Sequence, residues 1–497
     1  MNPFFERPPV KNLQGLRVTV MGLGHFGGGV GVVRFLQKQG AHVTVTDLQT
    51  AEQLAKSLEK IDTASLTGLV LGEHRDELFT ETDLVVVNPA VRPGNRFVQL
   101  VLDAGIPVTS EIALFWERCP ARKLVVTGST GKSTTATLIA QCLQAGLETG
   151  EEGTGRSVKL GGNLGISLLE EVDSFTADDW VVLELSSFQL ASLDSIHPRP
   201  DVAVVTNLFP NHLDWHESFE DYQAAKQTVC AWQTSDDLSI FNADDASLPL
   251  WPTDAKVIWY GKECWRDRPG VVVGEDHLIV RAHTGGWKVE LSDLAPALQS
   301  PHGLMNAAAA LAAVVVGLEV SIDVVAAPLL NFAGLPHRLQ VIGEVDGRLF
   351  INDSKATTPE AAMAGLVSMQ QPVILIAGGK SKGVDLELFA ESIQENVKAV
   401  VFIGETAPRL QELVIERHQA ANAREKRPRR SEEPSVPRWI STADSLHHAV
   451  MKAWEESESG DVILLSPGCA SSGEFTHYEQ RGESFCNSMR AIAEKSH

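Results

Sequence analysis

Cysteine is scarce: six residues in 497, Cys119, Cys142, Cys230, Cys264, Cys469 and Cys486, with no two in a C-x-x-C pair. That spacing spells neither a disulfide framework nor a zinc site, so a reducing cytoplasm is the expected compartment. Positive charge is short as well. The 42 Lys and Arg face 64 Asp and Glu, leaving a formal charge of -22 and a pI near 5.1. A long-range field of that sign repels polyanions, which argues against a general nucleic-acid or anionic-membrane surface. A bound nucleotide must therefore be gripped by local charges. Long apolar runs are missing too. The most apolar run, Ala307 to Leu318, is Ala-rich and falls short of the roughly 20 residues that span a bilayer, so a buried helix is expected there. The first residues, Met1-Asn2-Pro3-Phe4-Phe5-Glu6-Arg7-Pro8-Pro9, lack the apolar stretch of a signal peptide.

What is present is repetition of one pattern. A chain of this length exceeds a single core, and three stretches alternate short β-branched runs with helical patterns, the signature of parallel sheets with crossover helices. An α/β protein of three domains is expected, with boundaries near Cys119-Pro120 and Leu335-Pro336 because proline disfavours helix in the residue before it: 1–119, 120–336 and 337–497. The first domain should carry strands near Arg17–Met21, His42–Thr46 and Asp83–Val87. The second should carry Lys123–Thr127, Trp180–Leu183 and Asp201–Thr206, then a less regular tract up to the Ala-rich helix. The third should carry Arg348–Asn352, Pro372–Ala377, Lys398–Ile403 and Asp461–Leu465. The basic-then-acidic tract from Arg424 to Pro437 reads as a solvated insertion.

Thr127-Gly128-Ser129-Thr130-Gly131-Lys132-Ser133-Thr134 follows an apolar strand and opens a helix. Glycines there turn backbone N–H groups toward phosphate oxygens, the helix N-terminus faces them, and Lys132 adds a point charge. The loop predicts use of a nucleoside triphosphate. It departs from the usual phosphate-loop spacing, because Val126 stands where the first glycine is expected and Gly128 comes two positions late. Upstream, Gly22-Leu23-Gly24-His25-Phe26-Gly27 follows a strand, with Asp47 closing the next. Alone this reads as a dinucleotide fingerprint, as a packed turn, or as a site for another nucleotide. Glu184 ends an apolar strand beside the phosphate loop, where Mg²⁺ is commonly held by a loop hydroxyl, a strand-end carboxylate and the phosphates. His212 follows the next strand, at the sheet edge where open α/β folds bind ligands. His216, further along that loop, is assigned no role.

These blocks together resemble the Mur ligase and folylpolyglutamate synthase superfamily, ATP-dependent enzymes that join an amino acid to a carboxylate. The phosphate loop with its late glycine is joined in order by Gly161-Gly162-Asn163-Leu164-Gly165, Glu184-Leu185-Ser186-Ser187-Phe188-Gln189, the His212 loop and Tyr222-Gln223-Ala224-Ala225-Lys226. Asn242-Ala243-Asp244-Asp245, Leu335-Pro336-His337-Arg338, Asn352-Asp353-Ser354-Lys355-Ala356-Thr357 and Ser466-Pro467-Gly468-Cys469-Ala470-Ser471 with Phe475 complete the set. The resemblance runs almost the whole length and is most similar to the member type that adds D-glutamate to UDP-N-acetylmuramoyl-L-alanine in peptidoglycan precursor synthesis.

The resemblance implies a Rossmann-like N-terminal domain for the uridine substrate, a central phosphate-loop domain and a Rossmann-like C-terminal domain. Gly128, Ser129, Thr130, Gly131, Lys132, Ser133 and Thr134 would hold ATP with Asn306, Arg338 and Asp353. The substrate carboxylate would attack the γ-phosphorus to give an acyl phosphate, which the amine of D-glutamate then opens. Catalysis would fall to Lys132, His212, Lys226, Arg338 and Lys355. Two Mg²⁺ ions would be shared among Ser133, Glu184, His212 and Lys226, the last as a CO₂-derived carbamate. Gly24, His25, Phe26, Gly27, Asp47 and Asn163 would face the uridine substrate, and Thr357, Lys382, Ser466 and Phe475 would line the D-glutamate pocket. Thr130, Gly303 and Asn88-Pro89-Ala90 depart from the family's pattern. A monomer without nucleic-acid or membrane partners is expected. The alternatives are a muramyl ligase for another amino acid, an NAD-dependent oxidoreductase resting on Gly22, Gly24, Gly27 and Asp47, and a non-catalytic nucleotide switch resting on the Lys132 loop.

Overall fold

The computed structural model describes residues 12–24, 27–92, 94–149, 156–164, 167–210, 215–264, 268–367, 369, 371–380, 385–424, 437–471 and 473–494. The chain divides into two compact units. One comprises Met1–Asp293 with Leu304–Asn331, the other Leu294–Gly303 with Phe332–His497.

The first unit holds two sheets. Strands β1 (Arg17–Met21), β2 (His42–Asp47), β3 (Gly68–Leu71), β4 (Leu84–Val87) and β5 (Val108–Thr109) form the first, in the order β3-β2-β1-β4-β5 and parallel throughout. That is the order of a Rossmann sheet, whose crevice lies at the carboxyl ends of the strands where the order reverses. The glycine turn follows β1 at that place. β3 and β5 escaped the sequence reading because they are short; Gly68–Leu71 is also half-exposed and carries no alternation.

The second sheet has nine strands in the order β14-β13-β12-β11-β10-β9-β6-β8-β7. They are β6 (Arg122–Thr127), β7 (Val158–Gly162), β8 (Trp180–Glu184), β9 (Val202–Val205), β10 (Leu238–Asn242), β11 (Lys256–Gly261), β12 (Gly270–Val273), β13 (His277–Ala282) and β14 (Gly285–Glu290). From β6 the chain goes out to β7 and back to β8 on one side, while β9 to β12 lie on the other, so β6 and its phosphate loop stand at the reversal. The strands from β7 to β12 pair in parallel, and the last two turn antiparallel as hairpins. The tract after β9, expected to be less regular, is in fact five strands. Its polar turns break the apolar runs into pieces of four to six residues, too short to show a helix or strand period. The Ala-rich run is a buried helix as expected, Pro301–Leu311, and then widens into a π-helix over Ala312–Gly317. One apolar cluster runs through both sheets of this unit, from Val18 and Val20 past Phe115 and Cys119 to Val181 and Val205.

The second unit carries one sheet, β15-β16-β20-β17-β18-β19, from β15 (Gln340–Val345), β16 (Arg348–Asn352), β17 (Val373–Gly378), β18 (Ala399–Ile403), β19 (Trp439–Ala443) and β20 (Val462–Leu465). Only β15 is antiparallel to its neighbour. Apolar clusters cover both faces of this sheet, one around Leu375, Phe389 and Phe402, the other around Ile374, Phe350 and Phe485. Strands buried on both faces read as unbroken Val/Ile/Leu runs, and β17, β18 and β20 were visible for that reason. β19, at the sheet edge, is half-buried apart from exposed Thr442 and carries no unbroken apolar run, so it gives no such signal.

Candidate functional site

The phosphate loop spans the end of β6 and the start of the helix Lys132–Glu148. Gly128 has φ +142 and Gly131 has φ +79, and space is as restrictive as conformation: a Cβ on Gly128 would strike the Thr206 hydroxyl, and one on Gly131 the Asn306 carboxamide. The late glycine is thus where β9 crowds the loop. Gly131 caps the helix without a side chain, which leaves the first turn facing an anion. Lys132 Nζ donates to Ser129 O at 2.9 Å.

The loop is braced from the strand beside it. Asn207 Oδ1 accepts Thr130 N at 2.9 Å, Asn207 O accepts Ser129 N at 2.9 Å, and Thr206 Oγ1 donates to Thr130 O at 2.6 Å. Thr130, a departure from the family's pattern, makes its side-chain bonds to Asn207. Neither Thr206 nor Asn207 was singled out by the sequence, because two polar residues at a strand end look like any loop start.

Ser133 Oγ donates to Glu184 Oε2, and Asn163 Nδ2 donates to Glu184 Oε1 at 3.4 Å. Asn163, expected on the uridine substrate, is thus held at the same carboxylate. A hydroxyl and a buried carboxylate meeting at the first turn of a phosphate-binding helix are the hard oxygen donors that Mg²⁺ selects. Among the described residues no three His, Cys, Asp or Glu side chains cluster to hold a metal by themselves. His212 lies outside the described residues. His216 does not: it is buried, its Nε2 lies 2.7 Å from Ser187 Oγ, and its ring stacks on Phe188 at 5.4 Å. It belongs to the packing behind Glu184.

Lys226 lies on the helix Phe219–Ala231 and is 1% exposed. Its Nζ donates to Gly128 O at 2.9 Å and Thr127 Oγ1 at 3.3 Å, and stands 4.7 Å from the Tyr222 ring centroid. Tyr222 OH in turn meets Ser129 Oγ at 2.9 Å. Burial, reinforced by the Lys132 charge and opposed by Glu184, pushes the Lys226 ammonium well below the ordinary lysine range. Asn306 accepts from Thr135 Oγ1 at 3.2 Å, which sets it over the phosphate loop. Thr134 lies in the helix's first turn.

In the first sheet, Asp47 is buried at the end of β2. Its Oδ2 accepts Gly24 N at 3.1 Å and its Oδ1 accepts Gln49 N at 2.9 Å. Asn88, at the end of β4, donates from Nδ2 to Gly22 O at 3.3 Å and accepts Ala90 N at 3.0 Å. The departure Asn88-Pro89-Ala90 therefore serves the glycine turn. His25 and Phe26 lie outside the described residues.

The second unit gathers Arg338, Asp353, Lys355, Thr357 and Ser466. His337 and Leu339 take φ +62 and +42, values that non-glycine residues rarely adopt, and the turn delivers Leu339 N to Asp353 Oδ1 at 3.2 Å. Ser466 Oγ donates to Asp353 Oδ2 at 2.7 Å. Burial raises the Asp353 carboxyl to about 7, against the pull of Ser466, the Leu339 amide, Arg338 and Arg481. Arg338 Nε is buried with no hydrogen-bond partner among the described residues. Lys355 N donates to His337 O at 2.9 Å and Thr357 N to Lys355 O at 2.8 Å. Phe475 packs into the apolar cluster with Ile374 and Ile376, so it and Ser466 are engaged by their own unit. Ser471 is different. Its hydroxyl is buried without a partner among the described residues, one residue past Ala470, whose carbonyl accepts Lys380 N at 2.8 Å. Lys382 lies outside the described residues. The sequence alone gives Ser471 no role, because a hydroxyl in a loop says nothing until its burial is known.

Three family models match the chain: the MurD-like N-terminal domain of Mur ligases over residues 16–110, the Mur ligase middle domain over 126–314 and the Mur ligase glutamate ligase domain over 337–469. The UDP-N-acetylmuramoylalanine--D-glutamate ligase of Roseiflexus sp. (strain RS-1) is 38% identical, across 95% of this chain and 98% of that one. The chain belongs to the Mur ligase family. The protein of the same name from Desulfitobacterium hafniense (strain DSM 10664 / DCB-2) is 35% identical over 96% of this chain and 98% of its own. Among solved structures, the MurF ligase of Thermotoga maritima in complex with ADP aligns with a TM-score of 0.54 at 17% identity, covering 99% of this chain and all of that one. At that identity the likeness is one of fold, and it agrees with the α/β architecture read from the sequence. Among the described residues no helix is long and apolar enough to cross a membrane.

Proposed function

We propose that this protein is an ATP-dependent ligase that adds D-glutamate to UDP-N-acetylmuramoyl-L-alanine through an acyl phosphate, in peptidoglycan precursor synthesis. The observation that carries the reading is the bonded group at the end of β6, Lys132 over the loop with Ser133, Glu184 and buried Lys226 around it. It is supported by relatives of that name at 38% and 35% identity over nearly the whole chain.

Two anions, a carboxylate and a triphosphate, must approach within bonding distance, and fixed cations and metal ions make this possible. Lys132 and the loop amides take the ATP phosphates. Ser133 and Glu184 fit one Mg²⁺, and His212 with Lys226 are assigned to a second; such ions neutralise charge that develops on phosphate and acyl oxygens. Only a neutral amine captures CO₂, and burial beside Lys132 favours that form at Lys226, which supports the carbamate. Arg338 and Lys355 are assigned to the phosphate chemistry and Asp353 to the ATP ribose. Asp47 and the glycine turn from Gly24 to Gly27 are assigned to the uridine diphosphate. Thr357 and Lys382 are assigned to D-glutamate together with Ser471, whose buried hydroxyl awaits an acceptor or donor; Ser466 serves that side through Asp353. Domain boundaries after Cys119 and Pro336 belong to the same reading, and the matched segments 16–110, 126–314 and 337–469 support them.

Phosphate release with ATP and the uridine precursor across a panel of amino acids tests the proposal. D-glutamate should support turnover; turnover with L-lysine or diaminopimelate in its place would overturn the substrate assignment.

A further inference from the structure

Arg481 is the bulkiest of the fully buried side chains among the described residues. A buried cation is costly unless each donor is satisfied, and here the donors go to no carboxylate. Nε donates to Ser354 Oγ at 3.0 Å, Nη2 to Ser354 O at 2.8 Å and Nη1 to Cys469 O at 3.2 Å. Burial lowers the guanidinium to about 10, so it stays charged at neutral pH.

The residue sits in the first turn of the helix Tyr478–Ala493, where positions 478, 481 and 482 share one face. All three press on the end of β16 and the turns beside it. Tyr478 O accepts Ser354 Oγ at 2.8 Å, and its ring centroid lies 5.2 Å from Lys355 Nζ. Gly482 O accepts Asn352 Nδ2 at 3.1 Å, and a Cβ at 482 would strike the His337 ring. The other arm of Arg481 reaches the loop after β20, where Gly468 N donates to Ala356 O at 2.9 Å and the unpartnered Ser471 hydroxyl follows. The bond from Ser466 Oγ to Asp353 Oδ2 at 2.7 Å also ties the two loops, from within them, whereas Arg481 holds both from the helix.

We propose that Arg481 is a positioning residue for the ligase reaction: its fork holds the Asp353–Thr357 loop and the Ser466–Ser471 loop in one register, so that Thr357 and Ser471 meet the same amino-acid substrate. The proposal rests on the D-glutamate reading above. Lysine cannot replace the fork, because one ammonium is a point donor and reaches one loop at a time.

Two measurements on Arg481→Lys test it. Hydrogen exchange on the free protein needs no substrate: amides of 353–357 and 466–471 should both exchange about tenfold faster, with the rest of the unit unchanged. In kinetics, KM for D-glutamate, or for whichever amino acid the wild type uses, should rise about tenfold while KM for the uridine precursor stays within about twofold. The wild-type panel alone judges the substrate reading, so the two ideas fail separately. Exchange that is unchanged, confined to one loop or faster throughout the unit overturns the proposal, as does an equal rise in all KM values. Arg481→Gln serves if the lysine variant does not fold, and failure of both to fold makes the residue structural only, which also overturns it.

Discussion

The neighbourhoods of Lys226 and Asp353 bury an ionisable group each and push both toward the neutral form, but the company differs. Around Lys226 the Lys132 charge works with burial, and Glu184 opposes. Around Asp353 burial stands alone against two arginines, a hydroxyl and an amide. The amine is therefore driven neutral from two sides, as CO₂ capture requires. The carboxyl is left balanced near neutrality, where a modest change in charge or pH will tip it. Two sites of similar burial thus have opposite sensitivities, and each can be probed by removing the group that sets its balance.

The largest expected effect is on Asp353. Its folded value of about 7 lies above the unfolded one of about 3.9, so the protonated carboxyl contributes stability that is fully present below about pH 4 and is lost as pH rises through about 7. A shift of that size corresponds to on the order of 4 kcal/mol. Asp353→Asn keeps an acceptor for Leu339 N, and Ser466 can reverse its bond to accept from the amide. Urea unfolding at pH 4 to 8 should show the wild type losing stability relative to this variant by roughly that amount. Parallel curves would mean that Asp353 stays ionised and that the two sites do not differ as described.

Lys132→Ala should cost on the order of 3 kcal/mol of transition-state stabilisation, about a hundredfold in kcat, as loss of one fixed donor does elsewhere. The same change removes the cation that reinforces neutral Lys226. Near-normal turnover would take the loop out of the mechanism. Next comes Lys226→Ala, expected to lose about a hundredfold in kcat and to regain part of it with added acetate or formate, small anions that occupy the place of the carbamate. Full activity, or a loss that no short carboxylate repairs, would count against the carbamate.

How much of this was legible follows from distance along the chain. Gly128, Lys132 and Ser133 lie in one run, and their chemistry is local, so the motif alone placed them. Glu184 could be read because β8 is apolar on both faces and ends on a single carboxylate. Asp353 could be named but its state could not, since that depends on Leu339, Ser466 and Arg481, which no spacing rule connects. The bracing roles of Asn207 and Asn88 are hidden for the same reason: each supports a glycine loop from a neighbouring strand, and strand order is not written in a single sequence. The five strands after β9 were blurred because runs of four to six residues carry too few positions to reveal a period.

The smallest predicted effect bears on the amino-acid side of the comparison. Ser471 offers a buried hydroxyl without a partner among the described residues, whereas Ser466, five positions earlier in the same loop, spends its hydroxyl on Asp353. If Ser471 bonds D-glutamate, Ser471→Ala removes one hydrogen bond to a charged group, about 1.5 kcal/mol, and should raise KM for D-glutamate about tenfold with kcat and the ATP KM little changed. Ser466→Ala should behave differently. It strips a bond that favours the ionised carboxyl, so the Asp353 value should climb and the pH at which stability falls should move upward with it. If Ser466→Ala instead raises the D-glutamate KM and Ser471→Ala does nothing, the substrate contact belongs to Ser466, and the burial of the Ser471 hydroxyl has no part in recognition.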